Sequence, residues 1–162
     1  MESYKNLFKT LHNQRIRYIV VGGVAMSFHG ITRFTNDIDI LLALDDENRT
    51  KMNAVMKELG YEQRLPVSLD ELGDEKRALQ LINKKNLLAY SFVHPKNPLI
   101  SVDIIVGPSL KFEQYAKHMK TITLWGIEIP VVSIEDLIEL KRDANREKDH
   151  LDIEMLLSCK HL

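Results

Sequence analysis

The sequence predicts an α+β fold, with helices packed on a mixed sheet. Helical stretches with one apolar face alternate, in no regular order, with short apolar runs of strand length. Two of the strand junctions carry tight-turn signals, Pro95-Lys96-Asn97-Pro98 and Trp125-Gly126, so antiparallel neighbours are expected. The 162 residues, 44% of them hydrophobic, contain no repeat, low-complexity tract or composition shift, which reads as one domain over residues 1–162.

Each element has a local reason. Residues 3–15 place Leu7, Phe8 and Leu11 at helical spacing, with Ser3 available as a cap. Residues 18–21 form a short strand ended by Gly22-Gly23, and residues 24–29 a short helix broken by Gly30. Residues 38–42 are a strand. Asp45-Asp46 start a helix that carries Met52, Val55, Met56 and Leu59 on one face and stops at Gly60. Residues 70–77 are polar and read as a loop. Residues 78–82, 87–94 and 100–106 read as strands, and 112–119 as helical. Residues 121–124 and 127–132 pair as a hairpin across Trp125-Gly126. Ser133, with Asp136 three residues on, opens another helix, and residues 149–159 form the last.

Charge excludes several classes of function. Lysine and arginine number 22, aspartate and glutamate 23, so no global basic field recruits nucleic acid. The single cysteine, Cys159, excludes an internal disulfide and has no zinc-ligand spacing around it. No segment approaches the roughly 20 apolar residues of a membrane helix, and MESYKNLFKTL lacks a signal-peptide core. A soluble, cytoplasmic protein without a membrane partner is expected.

The informative stretch is VVGGVAMSFHGITRFTNDIDILL, beginning at Val20. Side chains alternate across a strand, so Asp37 and Asp39 share a face while Ile38 and Ile40 point to the core. Two residues rise roughly 6.5–7 Å, where two carboxylates repel by about 2 kcal/mol at an effective dielectric near 20. Such a pair either sits at a solvated edge or is neutralised, and a divalent cation with oxygen ligands does the latter. Gly22-Gly23 lies where a strand hands over to a helix, whose first N–H groups favour an anion such as phosphate; a plain turn is the other reading. Asp103 is the lone acid in the apolar run LISVDIIV, costly there unless paired, coordinated or turned outward.

Val21-Gly22-Gly23, thirteen residues, then Asp37-Ile38-Asp39-Ile40 resembles the signature of the DNA polymerase β-like nucleotidyltransferase superfamily. Asp103 matches its third acid. The lead-in Arg33-Phe34-Thr35-Asn36-Asp37 looks like the small prokaryotic members, including the toxin–antitoxin and abortive-infection nucleotidyltransferases. Their later motif, a helix with a lysine and then an Arg and Lys-Asp pair, resembles Leu137-Ile-Glu-Leu-Lys141 and Arg146-Glu-Lys-Asp149-His-Leu-Asp152. The resemblance covers about residues 15–157, the central hairpin region in pattern only.

The resemblance implies a palm-like mixed sheet with helices mainly on one face. It implies transfer of a nucleoside monophosphate from an NTP to an acceptor hydroxyl, releasing pyrophosphate. Asp37, Asp39 and Asp103 would be the catalytic residues and the ligands of two Mg2+ or Mn2+ ions. Asp103 would also help deprotonate the acceptor. Gly22 and Gly23 would cradle the β- and γ-phosphates, with Arg33 and Lys141 as further nucleotide-binding residues; a surface ion pair is an equal reading of Arg33, and a solvated surface lysine the plainer reading of Lys141. Thr35 would hydrogen-bond in the turn before Asp37. Arg146, Lys148 and Asp149 read as an ion-pair cluster at a helix start, with a phosphate role as the other reading. His29 could face the site, whereas His12, His94, His118, His150 and His161 read as surface residues. Trp125 and Tyr61 read as core or turn aromatics. The acceptor stays open among a protein, a tRNA end and a small hydroxyl compound, and a cognate partner protein is implied. The alternative is a non-enzymatic nucleotide-binding or antitoxin-like protein with the same fold. A metal-dependent phosphohydrolase lacks its usual histidine–aspartate spacing here.

Overall fold

The computed structural model describes residues 2–85 and 87–160. The element order is α1 (Glu2–Asn13), β1 (Tyr18–Val21), α2 (Gly22–Phe28), β2 (Ile38–Leu42), α3 (Asp46–Glu58), β3 (Glu62–Gln63), a 3-10 turn (Leu69–Gly73), α4 (Glu75–Lys85), β4 (Ala89–His94), β5 (Asn97–Ile105), α5 (Phe112–Ala116), β6 (Lys120–Leu124), β7 (Ile127–Val131), α6 (Ile134–Ala144) and α7 (Glu147–Lys160). This is the α+β architecture the sequence predicts.

The strands form a mixed sheet in the order β3-β4-β5-β2-β1-β7-β6. β1 runs antiparallel to β2, while β2 is parallel to β5 and β1 parallel to β7. The central strands β1 and β2 are near-continuous apolar runs, covered on both faces at almost every position. Ile38, Ile40, Val102 and Ile104 lie on one face at 0–1% exposure. They join Leu7, Phe8 and Leu11 of α1 and Met52, Val55 and Met56 of α3 in one core. The opposite face of β2 and β5 carries Asp39 and Asp103, beside the buried Leu41 and Ser101.

Caps fix the helix ends. Asp45 accepts from the Asn48 amide at the start of α3, and Gly60, with φ +84°, follows its end. Ser133 accepts from the Asp136 amide at the start of α6, which stops at Asn145 in the left-handed region. The β6–β7 hairpin turns on Trp125 and Gly126, both at positive φ, and Trp125 stacks on Phe8.

The region 70–82 differs from expectation. The polar stretch is a 3-10 turn capped reciprocally by Ser68 and Glu71, and residues 78–82 are helix, not strand. Asp74 Oδ1 caps α4 by accepting from the Arg77 amide at 2.8 Å. Ala78, Leu81 and Ile82 then fall at helical spacing, with Leu81 buried. The two-residue strand β3, on the sheet edge beside β4, was not expected.

Candidate active site

β2 and β5 place Asp39 and Asp103 directly side by side, as register partners on parallel strands. Neighbouring strands lie about 4.8 Å apart, so the two carboxylates share one patch of sheet surface. Ile104, the next residue, is 1% exposed on the opposite face. Asp37 lies just before β2 and is exposed. Its Oδ1 accepts a 2.9 Å hydrogen bond from Oγ of Ser101, itself on β5 two residues before Asp103. Thr35 Oγ1 accepts from the Asp37 amide at 3.3 Å, which sets the turn into the strand.

This acid group is electrostatically unfinished. Asp103 Oδ1 is buried and has no hydrogen-bond partner. Burial pushes the Asp39 carboxyl up to about 6, and the charges of Asp103 and Asp37 push the same way. Arg146 and Lys141 oppose the shift. An acceptor left buried without a donor, beside a second acid, is stabilised only by a proton or a cation. The donors are all carboxylate and hydroxyl oxygens, so the set fits a hard divalent cation such as Mg2+ or Mn2+. Among the described residues, however, no three acidic, histidine or cysteine side chains close on a common point. The close pair is Asp39 and Asp103, with Asp37 at the rim held by Ser101.

Gly22 belongs to the same patch. Its φ is +67°, and a Cβ there would stand 2.2 Å from Asp39 Oδ2. Any side chain would therefore displace the carboxylate. At Gly23 a Cβ would meet the Thr35 side chain at 3.1 Å. The glycine pair thus keeps the start of α2 pressed against the acids and the loop leading into them. α2 begins at Gly22, two residues earlier than the sequence suggests, so the glycines are its first turn.

Arg33 and Lys141 meet on a cluster between α6 and α7. Lys141 is 6% exposed, not solvated. Its Nζ donates to Asp152 Oδ2 at 2.9 Å and pairs with Asp149 Oδ1 at 3.5 Å. Arg33 Nε lies 3.3 Å from Asp152 Oδ1. Arg146 donates from Nε to Asp149 Oδ2 at 2.8 Å. Burial raises the pKa of Asp149, but the hydrogen bonds and charge of Arg146 and the charge of Lys141 outweigh it and leave the group lowered. The helix-start pair of Arg146 and Asp149 is present. Asp152 closes the later motif of the resemblance but is given no role there, and Ser101 is not singled out from sequence. Ser101 had a signal, since it shares the strand face of Asp103 at period two.

His29 does not face the acids; its Nε2 lies 2.7 Å from the carbonyl oxygen of Val132. His118 pairs with Asp136, and His94 Nδ1 accepts from the Lys96 amide, as surface contacts. His161 lies outside the described residues. A cavity of about 500 Å³ opens beyond the C-terminal ends of β2 and β5, walled by residues such as Leu42, Leu79 and Ile105, and none of the three acids lines it.

Residues 7–162 match the family model of the AbiEii nucleotidyl transferase toxin of type IV toxin–antitoxin systems. The chain belongs to this family. It is thus a nucleotidyltransferase of the polymerase β-like fold. Nothing among curated proteins matches it. Solved structures share its fold at low identity. The lincosamide antibiotic adenylyltransferase LnuA, solved with lincomycin, superposes with a TM-score of 0.61 at 15% identity, covering 98% of this chain and 96% of its own. The antibiotic-resistance factor ANT(2'')-Ia gives a TM-score of 0.60 at 13% identity, over 96% of this chain and 80% of its own. A Thermotoga maritima protein, provisionally assigned as a nucleotidyltransferase, gives 0.59 at 16%, over 96% and 90%. Among the described residues no helix of this AbiEii-family chain is long and apolar enough to cross a membrane.

Proposed function

We propose that the 1–162 unit acts as a single-domain, metal-dependent nucleotidyltransferase in the cytoplasm, moving a nucleoside monophosphate from an NTP to an acceptor hydroxyl with release of pyrophosphate. The observation that carries this reading is the Asp39–Asp103 register pair with its unpartnered buried oxygen, pressed against Gly22.

Asp39 and Asp103, with Asp37 at the rim, would hold the divalent ions, two in the full site. Cations bound there would lower the pKa of the acceptor hydroxyl and neutralise charge on the triphosphate and its leaving group. Asp103 Oδ1, free of donors, accepts the hydroxyl proton. Ser101 orients Asp37. The N–H groups of Gly22 and Gly23 point the open first turn of α2 at the β- and γ-phosphates. Arg33 contacts the phosphates from the loop before the acids. Lys141 acts through its charge, which already reaches Asp39. The acceptor is a protein, a tRNA end or a small hydroxyl compound. Its family membership supports a cognate antitoxin as partner.

Thermal-shift scans with ATP, GTP, CTP and UTP, each with and without Mg2+ or Mn2+, test the site. A ligand that binds only the folded state at 100 times its Kd adds about 2.7 kcal/mol. At this chain length that is a rise of several degrees in Tm for the preferred NTP, and only with metal. No shift with any combination overturns the reading. Binding without transfer of an α-phosphate label to any acceptor fraction would favour the non-enzymatic alternative.

A further inference from the structure

We propose that Asp152 is a positioning residue that aims Arg33, and with it the charge of Lys141, at the phosphate groups of the nucleotide. The inference rests on the nucleotidyltransferase reading and deepens it.

A single carboxylate holds both cations. Asp152 Oδ2 takes Lys141 Nζ at 2.9 Å, and Asp152 Oδ1 faces Arg33 Nε at 3.3 Å. The Asp152 side chain is 3% exposed, so its charge is committed to these partners. Arg33 meets this carboxylate with its inner nitrogen, which is buried and makes no hydrogen bond, so the contact is an ion pair alone. With 31% of its side chain exposed, its outer nitrogens are left for another ligand. The cluster as a whole carries three cations, Arg33, Lys141 and Arg146, against two acids, Asp149 and Asp152. Its surplus is positive, beside an acid patch that is strongly negative.

Free arginine and lysine side chains carry substantial rotamer entropy. A ligand that must order them loses affinity, and a fixed carboxylate behind them removes the cost. Asp152 is almost fully buried and its two oxygens face Lys141 and Arg33, so its effect passes through them. An effect carried that way scales with the number of phosphates on the ligand. A general loss of structure does not.

The test is calorimetric affinity for the α,β-methylene analogue of the preferred NTP with Mg2+, and for the matching nucleoside monophosphate. Asp152→Glu keeps the charge but moves the carboxylate by one methylene. The triphosphate analogue should bind about threefold more weakly, with the monophosphate nearly unchanged. Asp152→Asn should weaken the triphosphate by about tenfold. Adding it to Arg33→Gln should weaken binding less than the product of the two single effects, because both act on one contact. If Asp152→Asn does not fold, the Asp152→Glu result decides alone. Unchanged triphosphate affinity in Asp152→Glu, or equal losses for both nucleotides, overturns the inference while leaving the enzyme reading intact. No nucleotide binding by the unaltered protein overturns both.

Discussion

The carboxylate face and the α6–α7 cluster each set aspartates in buried surroundings, Asp39 and Asp103 in the first, Asp149 and Asp152 in the second. In the second every acid has a cation. Lys141 lies between the two carboxylates, and Arg33 and Arg146 close the ends. In the first the neighbours are other acids, and one oxygen of Asp103 has no donor. The Asp149 carboxyl is held below its ordinary range, while that of Asp39 is pushed up to about 6. One cluster is finished by the protein. The other is finished only when something positive arrives. A fold that leaves charge uncompensated in one place, and compensates it fully a few side chains away, marks the first place as the working site.

The largest break in this contrast should come from the unfinished cluster, in activity. Asp39→Asn and Asp103→Ala each should lower transfer of an α-phosphate label by at least about a thousandfold, roughly 4 kcal/mol of barrier. Asp103→Ala should keep most NTP affinity, because Asp39 and Asp37 still hold the metal on the triphosphate. Label transfer within tenfold of the unaltered protein in both variants would remove the acids from the chemistry.

The finished cluster should break in stability instead. Removing one partner of a buried ion pair typically costs about 3–5 kcal/mol, since the other charge is left stranded. Asp149 is fully buried and bonded to Arg146 through side chain and backbone. Asp149→Ala should therefore lower the urea unfolding free energy by about 3 kcal/mol. A change under about 1 kcal/mol would mean that Lys141 and Arg146 regain water at little cost, and that the two clusters differ less than their contacts suggest.

How visible each cluster is in the sequence follows from the same difference. Asp39 and Asp103 stand out because each is an acid in an apolar strand, where alternation fixes the face it points to, and Asp37 because it precedes such a strand two residues before Asp39. Gly22 and Gly23 stand out because glycine at a strand end has few reasons to be there. Tyr18–Val21 and Ile38–Leu42 are read with their observed bounds for the same cause, strict apolar runs between turn residues. Asp152 is legible only as the last residue of the later motif, not by its burial or its partners. An aspartate among Glu147, Lys148 and His150 looks like a solvated helix face, and only docking of α7 on Lys141 buries it. The helix even inverts the usual rule, with Asp149 and Asp152 inside and Leu151 61% exposed. α4 is missed because Ala78-Leu-Gln-Leu-Ile82 is a short, mostly apolar run, which periodicity alone does not assign to strand or helix. The cap at Asp74 and the burial of Leu81 decide for helix. Convergence of the three acids is only partly foreseen: alternation puts Asp37 on the face of Asp39, but the turn at Thr35 and the bond from Ser101 keep it at the rim.

The smallest expected effect sharpens the comparison most, because it has the opposite sign to the loss at Asp149. The Asp39 carboxyl is raised from 3.8 to about 6 by burial and then by Asp103 and Asp37. The folded protein thus binds a proton there more tightly than the unfolded chain. Between about pH 4 and pH 6 the folded state carries more protons, so stability falls as pH rises through that window. Below pH 4 both states are protonated and the favourable difference is fully present. Above pH 6 it is lost, and the ionised Asp39 sits among like charges. Asp39→Asn removes the ionisation. At pH 7.5 in the absence of divalent metal, the variant should be more stable than the parent by about 1–3 kcal/mol, a Tm gain of several degrees. At pH 4 the gain should shrink towards zero. Saturating Mg2+ with the preferred NTP should reverse the order at pH 7.5, since the ligand stabilises the parent and has lost a carboxylate in the variant. A variant less stable than the parent at pH 7.5 without metal would show that Asp39 is compensated within the protein after all, and the distinction between the two clusters would fall.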